Sequence, residues 1–284
     1  VKAALEDELF ERGYGRDTVV VAFGGGVTGD LAGFVAATFC RGVPLVQIPT
    51  TVLAMADSSV GGKTGIDVPA GKNLIGAFHQ PRYVFMDPTL LKTLPEREIR
   101  AGMVEILKHG LIKDRRFFFT LAENLEELRR PQEHTQLFNK ILFRSCSIKA
   151  DVVQQDEKEA GLRQILNFGH TVGHSLERLS NWELLHGEAV SIGIVAALQL
   201  SCMQTGLDPE EARYVEHVLS SWQTPVKWRF SIEEAVRIMR HDKKAREGKV
   251  RFVLLEKIGS VAGKTSTLVD EKAIKEALKY VGGF

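Results

Sequence analysis

Two histidines four residues apart, His170 and His174 in "NFGHTVGH", are followed by a third, His186, in "LLHGE". Imidazoles near carboxylates are the raw material of zinc sites, which in their catalytic form take three protein ligands and keep one position open. Four residues is about one helical turn, so His170 and His174 project from one face of a helix and suggest a chelating pair. The segment is not a His-Glu-x-x-His metalloprotease motif, because Thr171 follows the first histidine. Carboxylate candidates for the remaining ligand are Glu105 in "GMVEILKHG", Glu177 and Glu188, and spacing does not choose among them. Glu105, Lys108 and His109 share a helix face, a pattern that a plain ion-paired surface would also produce.

A second stretch suited to chemistry is "GGGVTG", residues 24–29, which matches G-x-G-x-x-G directly after a β-branched run. Such a turn lets backbone approach a phosphate, and the helix that follows favours negative charge at its start. The acidic partner expected at the end of the next strand is missing, since that region reads "VQIPTT". Asp30 falls at the expected start of the helix, where it would serve as a cap. Further on, "GGKTG" resembles the end of a P-loop, but the first glycine of that motif would fall at Asp57, which excludes it. What remains is a glycine-rich loop, "MADSSVGGKTGIDVPAGKN", carrying Asp57, Lys63, Asp67, Lys72 and Asn73. Its lysines are spaced to meet separate anionic groups on one small molecule.

The elements that must hold these residues follow from periodicity. "TVVVAF" (18–23), "PLVQIPTT" (44–51) and "YVFMDP" (83–88) read as short strands, with "GDLAGFVAATFCRG" as a small-residue helix between the first two. Strand, helix and strand with short turns imply a parallel sheet. Beyond Leu94, "PEREIRAGMVEILKHGLIKD", "LAENLEELRR", "FNKILFRSCSIKADVVQQDE", "HTVGHSLERL" and "GEAVSIGIVAALQLSCMQTG" have helical periodicity, and only "KVRFVLLEKIG" (249–259) reads as a strand. The expected organisation is an α/β nucleotide-binding domain over 1–95 and a mainly α-helical metal- and substrate-binding domain over 96–284. A cleft between two such parts is a usual place for a small-molecule site. The chain opens on "VKAALEDELFERG", without Met and inside a helical pattern, which reads as a chain lacking an N-terminal piece.

Composition excludes several classes. Across 284 residues, 37 Lys plus Arg nearly balance 36 Asp plus Glu, so bulk charge does not point to nucleic acid or an anionic membrane. Cys40, Cys146 and Cys202 form no CxxC and no disulfide framework, which fits a reducing cytoplasm. The apolar stretch "AVSIGIVAALQL" is too short to span a membrane and reads as a buried helix.

Taken in order, "GGGVTGDLAGFVAATFCRGVPLVQIPTTVLAMADSSVGGKTGIDVPAGKNLIGAFHQP", "GMVEILKHGLIKD", "GLRQILNFGHTVGH" and "LHGE" closely resemble the 3-dehydroquinate synthase family of sugar phosphate cyclases. The resemblance runs from about residue 18 to about residue 260. It implies an NAD- and metal-dependent lyase of the shikimate pathway, using zinc or cobalt, usually as a homodimer. Such enzymes convert 3-deoxy-D-arabino-heptulosonate 7-phosphate to 3-dehydroquinate and phosphate.

Position by position, the resemblance implies Glu105, His170 and His186 as metal ligands, with His174 contacting substrate rather than metal. It implies NAD contacts at Gly25, Gly26, Asp30, Thr50 and Thr51, and also at Lys72, Asn73 and Thr93. Substrate contacts are implied at Arg41, Asp57, Lys63, Lys72 and Asn73, then at Lys108, Lys149, Arg163, Asn167 and Lys243, with Lys244 the alternative in "HDKKA". Of these, the resemblance implies catalytic roles for Lys63, Lys108, Arg163, Asn167 and His174. Family members also carry residues ahead of the "VVAFGGG" strand that hold the adenosine half of NAD. A polyol dehydrogenase of related architecture is the nearest rival, and "DSSVGGKTG" and "GKNLIGAFHQP" argue against it by supplying anion-binding groups. A related cyclase making another cyclitol, and a remnant unable to hold NAD, are the other readings.

Overall fold

A computed structural model describes residues 1–68, 71–241, 250–263 and 265–284, with side chains except those of residues 71–73 and 241. The chain divides into two compact units, Val1–Pro95 with Pro131–Ala150, and Glu96–Arg130 with Asp151–Phe284.

In the first unit, helix α1 (Lys2–Glu11) precedes strand β1 (Val20–Gly24), helix α2 (Gly26–Thr38) and strand β2 (Leu45–Pro49). The hairpin β3 (Lys63–Val68) and β4 (Gly71–Phe78) follows, then the short strand β5 (Tyr83–Val84). β1, β2 and β5 form a parallel sheet in that order, with Val20 opposite Leu45 and Val46 opposite Tyr83. Side chains alternate across a strand, so Ala22 and Leu45 pack with Val35, Ala36 and Phe39, whereas Val21 and Phe23 are exposed.

In the second unit, helices α3 (Glu96–Lys113), α4 (Arg115–Glu123) and α5 (Leu125–Leu128) lead to α6 (Thr135–Gln155), most of which groups with the first unit. Then come α7 (His170–Leu179), α8 (His186–Gln204), α9 (Pro209–Ser221) and α10 (Ile232–His241). Short strands β6 (Val250–Phe252), β7 (Leu255–Lys257), β8 (Ser260–Val261) and β9 (Thr267–Val269) precede α11 (Glu271–Tyr280). Several helix starts are capped by aspartates, whose carboxylates accept backbone N–H groups that no helical carbonyl can reach. Asp114 accepts from Phe117 at 3.0 Å, Asp208 from Glu210 at 2.9 Å and Asp270 from Ala273 at 2.9 Å.

α8 is the axis of this unit, packed by α3, α7, α9 and α11. Its 19 residues are apolar enough to cross a membrane by length and composition, but 78% of that stretch is buried inside the protein. A helix apolar on all sides is satisfied in this way by other helices.

Three details depart from the sequence expectation. The loop read from Met55 to Asn73 contains a turn of π-helix, Ala54–Ser58, and the β3–β4 hairpin. Gly65, Gly71 and Gly76 lie in that hairpin. They dilute the alternation by which a strand is recognised. The single strand expected over 249–259 is two, β6 paired with β9 and β7 paired with β8, and residue 249 lies outside the described residues. The apolar run Phe252–Leu255 joins them in sequence, but the backbone changes partner at the buried pair Val253 and Leu254. "LAENLEELRR" is broken at Asn124, whose φ of −117° and ψ of 30° end α4 before the short α5.

Candidate metal and cofactor site

Glu105 and Lys108 lie on the buried stretch of α3, where Lys108 Nζ donates to Glu105 Oε2 and neither side chain is more than 1% exposed. The other carboxylate oxygen, Glu105 Oε1, is buried with no hydrogen-bond partner. Two imidazole nitrogens face it: His170 Nε2 at 3.5 Å and His186 Nε2 at 3.4 Å. Donor atoms of these three residues lie within 4.8 Å of one another. A buried unpartnered carboxylate oxygen is costly, and one facing two imidazole nitrogens matches the donor set of a three-ligand zinc site. The residues fit a divalent cation.

Three helices from distant parts of the sequence build this arrangement. His170 opens α7 immediately after Gly169, whose φ of 80° is the left-handed conformation that glycine adopts without strain. That turn brings the Phe168 carbonyl to 3.1 Å from His170 Nδ1. A carbonyl only accepts, so Nδ1 carries the proton and Nε2 presents a lone pair towards Glu105. His186 opens α8, and the next residue, Gly187, sits against α3: a Cβ there would lie 1.8 Å from the Ala101 carbonyl oxygen. Glu188 folds back to accept from Leu185 N at 2.9 Å, which satisfies one of the backbone donors left open at the start of α8. Arg97 on α3 grips the same carboxylate through Nε at 2.7 Å and Nη2 at 2.6 Å, and donates to the Glu183 carbonyl at 2.8 Å.

Of the three carboxylates weighed from sequence, Glu105 stands against both histidine Nε2 atoms, and Glu188 is committed to Arg97 and to the helix cap. Glu177 is 2% exposed, with Oε2 3.3 Å from His186 Nδ1. The helical pair suggested by spacing does not share the Glu105 group. His174 has its ring centroid 5.2 Å from that of His170, but it is exposed and its donor atom groups with Glu177 and His186 instead. His109 is fully buried in α3.

The electrostatics follow from burial and charge. Burial alone would raise the Glu105 carboxyl, yet Lys108, His170 and His186 together hold it well below the usual carboxylate range. Burial pushes His170 well below the ordinary imidazole value, and Lys108 pushes the same way, leaving a neutral ring. Burial also works against protonation of His186, but the contacts to Glu105 and Glu177 outweigh it and push it up to about 10.

Beside these residues in the second unit, Arg163 is 3% exposed on the turn Leu162–Asn167. Asp156 shapes that turn by accepting from the backbone N–H of Ala160, Gly161 and Arg163 at 2.7–2.9 Å. The Arg163 guanidinium donates to the Glu157 carbonyl at 2.5 Å, and Asn167 Nδ2 donates to Glu159. Composition gave no sign of Asp156 or Glu159. An acidic residue ahead of a glycine turn, as in "QQDEKEAG", is the signal that points to the first.

In the first unit, Gly25 precedes α2 and Gly26 begins it, with no side chain capping the helix start. A Cβ on Gly25 would lie 3.2 Å from Thr51 Cγ2, and one on Gly26 would lie 3.2 Å from Ser58 Oγ. Thr50 N donates to the Gly24 carbonyl at 2.9 Å, joining the two loops. The result is a glycine cradle at a helix N-terminus, which fits the pyrophosphate of a dinucleotide. Gly29 serves packing, because a Cβ there would sit 2.8 Å from Gln47 Oε1.

Asp30 is not the cap expected from sequence, since the helix starts at Gly26 and places Asp30 in its second turn. Burial, and then the charge of Asp57, push its carboxyl up to about 7, with Lys149 opposing. Lys149 Nζ meets Asp57 Oδ1 at 2.6 Å. Arg41, Lys63 and Thr93 are exposed, Arg41 with a φ of 68°. The side chains of Lys72 and Asn73, and both Lys243 and Lys244, lie outside the described residues.

Residues 1–101 match the family model of the 3-dehydroquinate synthase N-terminal domain, and residues 102–245 match that of the 3-dehydroquinate synthase C-terminal domain. The chain belongs to the 3-dehydroquinate synthase family. A 3-dehydroquinate synthase from Nostoc sp. (strain PCC 7120) is 50% identical over 275 residues, covering 94% of this chain and 73% of its own. Among solved structures, the 2-epi-5-epi-valiolone synthase of Streptomyces hygroscopicus, with NAD+ and Zn2+ bound, superposes with a TM-score of 0.90 at 30% identity, over 99% of this chain and 78% of that one. A 2-deoxy-scyllo-inosose synthase complexed with carbaglucose-6-phosphate, NAD+ and Co2+ gives the same TM-score at 28% identity, with the same coverage. Membership of the 3-dehydroquinate synthase family fits both the group of Glu105, His170 and His186 on α3, α7 and α8 and the glycine cradle ahead of α2.

Proposed function

We propose that the chain is a 3-dehydroquinate synthase, converting 3-deoxy-D-arabino-heptulosonate 7-phosphate to 3-dehydroquinate and phosphate. The reaction runs by transient oxidation, phosphate elimination, reduction and intramolecular aldol closure. The observation that carries this reading is the buried, unpartnered Glu105 Oε1 facing His170 Nε2 and His186 Nε2, in a chain of this family. Glu105, His170 and His186 hold the divalent cation, zinc or cobalt. Gly25, Gly26, Thr50 and Thr51 line the NAD site, with Asp30, Lys72, Asn73 and Thr93 contributing to it. When bound, NAD would supply a reversible hydride acceptor, and the cation would supply positive charge that acidifies the hydroxyl being oxidised.

The chain's own residues do the rest. Lys108 stands beside Glu105 in the buried interior, where it offsets the carboxylate's charge and presents a cation to the substrate. Arg163, Asn167 and His174 serve the substrate from the same unit. Lys63, Lys149 and Arg41, with Asp57, Lys72, Asn73 and Lys243, supply further contacts. Local basic residues of this kind let a chain with a net charge of only +1 bind a carboxylated sugar phosphate. The substrate's own phosphate assists proton removal, which accounts for the lack of an assigned side-chain base. Residues 1–95, the part that Pro131–Ala150 groups with, form the NAD-binding domain, and the rest of 96–284 forms the metal- and substrate-binding domain of a cytoplasmic homodimer. Support for the reducing compartment comes from Cys40, Cys146 and Cys202, all free thiols.

The test is phosphate release from the heptulosonate phosphate with zinc or cobalt and substoichiometric NAD. Turnover without NADH accumulation is the expected result. Stoichiometric NADH formed from a simple polyol would favour a dehydrogenase instead.

A further inference from the structure

The second face of His186 is held as firmly as the first. Glu177 lies on α7 seven residues after His170, and helical geometry puts positions 170, 174 and 177 on one side of that helix. Its carboxylate is 2% exposed, and buried carboxylates require a partner. Oε2 lies 3.3 Å from His186 Nδ1, on the opposite side of the ring from Nε2, which lies 3.4 Å from Glu105. We propose that Glu177 is a positioning residue for the metal centre, fixing the His186 ring and its Nδ1–H tautomer so that Nε2 is the ligating atom. The proposal rests on the reading of Glu105, His170 and His186 as the ligands.

The two histidines are then held by the same device with different chemistry. The acceptor for His170 is the neutral Phe168 carbonyl at 3.1 Å, whereas that for His186 is an anion. A carboxylate behind an imidazole orients the ring and raises its basicity as a ligand. His186 needs this more, because its side chain is 25% exposed against 10% for His170, so packing restrains it less. His174, Glu177 and His186 also place donor atoms within 4.8 Å of one another, the outline of a second cation site. The two roles compete for one nitrogen: Nδ1 of His186 either donates its proton to Glu177 or ligates a cation, and the first keeps the ring neutral when Nε2 ligates.

The test is Co2+ titration of the intact chain and its Glu177 variants, read by visible absorption, chelator competition and bound-metal stoichiometry. Wild type should bind one ion per chain. Glu177→Gln keeps an acceptor but loses the charge, and should weaken Co2+ affinity about 10-fold; Glu177→Ala loses both, and should approach about 100-fold. Both should shift the cobalt bands, a change that damage to packing alone would not produce in protein that remains folded by circular dichroism. Cobalt affinity within twofold of wild type in both variants, with unchanged bands, would overturn the proposal. So would two ions per wild-type chain, with one lost on substitution, which would make Glu177 a ligand. No cobalt binding by the folded wild type would bring down the metal assignment itself, and the role of Glu177 with it.

Discussion

Gly187 on α8 and Ala101 on α3 approach so closely that a Cβ on the glycine would lie 1.8 Å from the alanine carbonyl oxygen. Each neighbours a proposed metal ligand: Glu105 is one turn after Ala101, and His186 immediately precedes Gly187. The backbone contact therefore sets the spacing between a carboxylate and an imidazole on different helices. Gly187→Ala should force the helices apart, costing about 1–3 kcal/mol or more by urea denaturation and lowering zinc affinity. Gly15→Ala, where the nearest atom to a new Cβ is 3.5 Å away, is the control. Equal urea midpoints for the two variants would refute the close-contact argument.

His186→Ala and His174→Ala should separate ligation from substrate handling. The first removes a nitrogen facing Glu105 and should lose bound zinc; the second should keep zinc while turnover falls. Metal analysis of the purified variants decides it, and equal retention in both would reverse the assignment.

Chelation should lower stability because the metal binds the folded chain. With free zinc at about 1,000 times its dissociation constant, the linkage is about 4 kcal/mol, or on the order of 10 °C in thermal midpoint for a chain of this size. Differential scanning calorimetry with chelator and then with added zinc should show the loss and its recovery.

Asp30 should make stability depend on pH. Its carboxyl is pushed up to about 7 in the folded chain, by burial first and then by Asp57, against about 4 when unfolded. The folded state therefore holds a proton that the unfolded state releases. Stability contributed here is full below about pH 4, falls up to about pH 7 and is level above it. Asp30→Asn removes the titration. Its unfolding free energy from urea denaturation should gain on wild type as pH rises between those limits, reaching on the order of 2 kcal/mol at pH 8 after allowing for solvent screening. A gain that does not vary with pH would refute this assignment.

The Arg97–Glu188 pair should matter for the start of α8. Glu188→Ala deletes the acceptor of Leu185 N and the partner of Arg97. It should cost about 1–2 kcal/mol, with a weaker loss of zinc, since the helix start carries His186. Urea denaturation and metal analysis check both parts.

Much of the architecture is legible from local pattern. The β-branched runs at 18–23 and 44–51 become β1 and β2, and the glycine turn opens a helix between them. α7 falls on "HTVGHSLERL" because its apolar residues recur at the helical period. The β3–β4 hairpin is not legible, since its glycines dilute the alternation. Nor is the break between β6 and β7, which depends on strands elsewhere in the chain.

The sequence by itself determined the donor inventory, the glycine cradle and the family, and it put His170 and His174 on one helix face. Spacing within a helix speaks only of neighbours on that helix. Which carboxylate stands against which nitrogen was decided by α3 and α7 packing on α8, a long-range contact with no trace in local periodicity. That packing sets Glu105 against His170 and His186, commits Glu188 to Arg97, and leaves Glu177 behind the His186 ring.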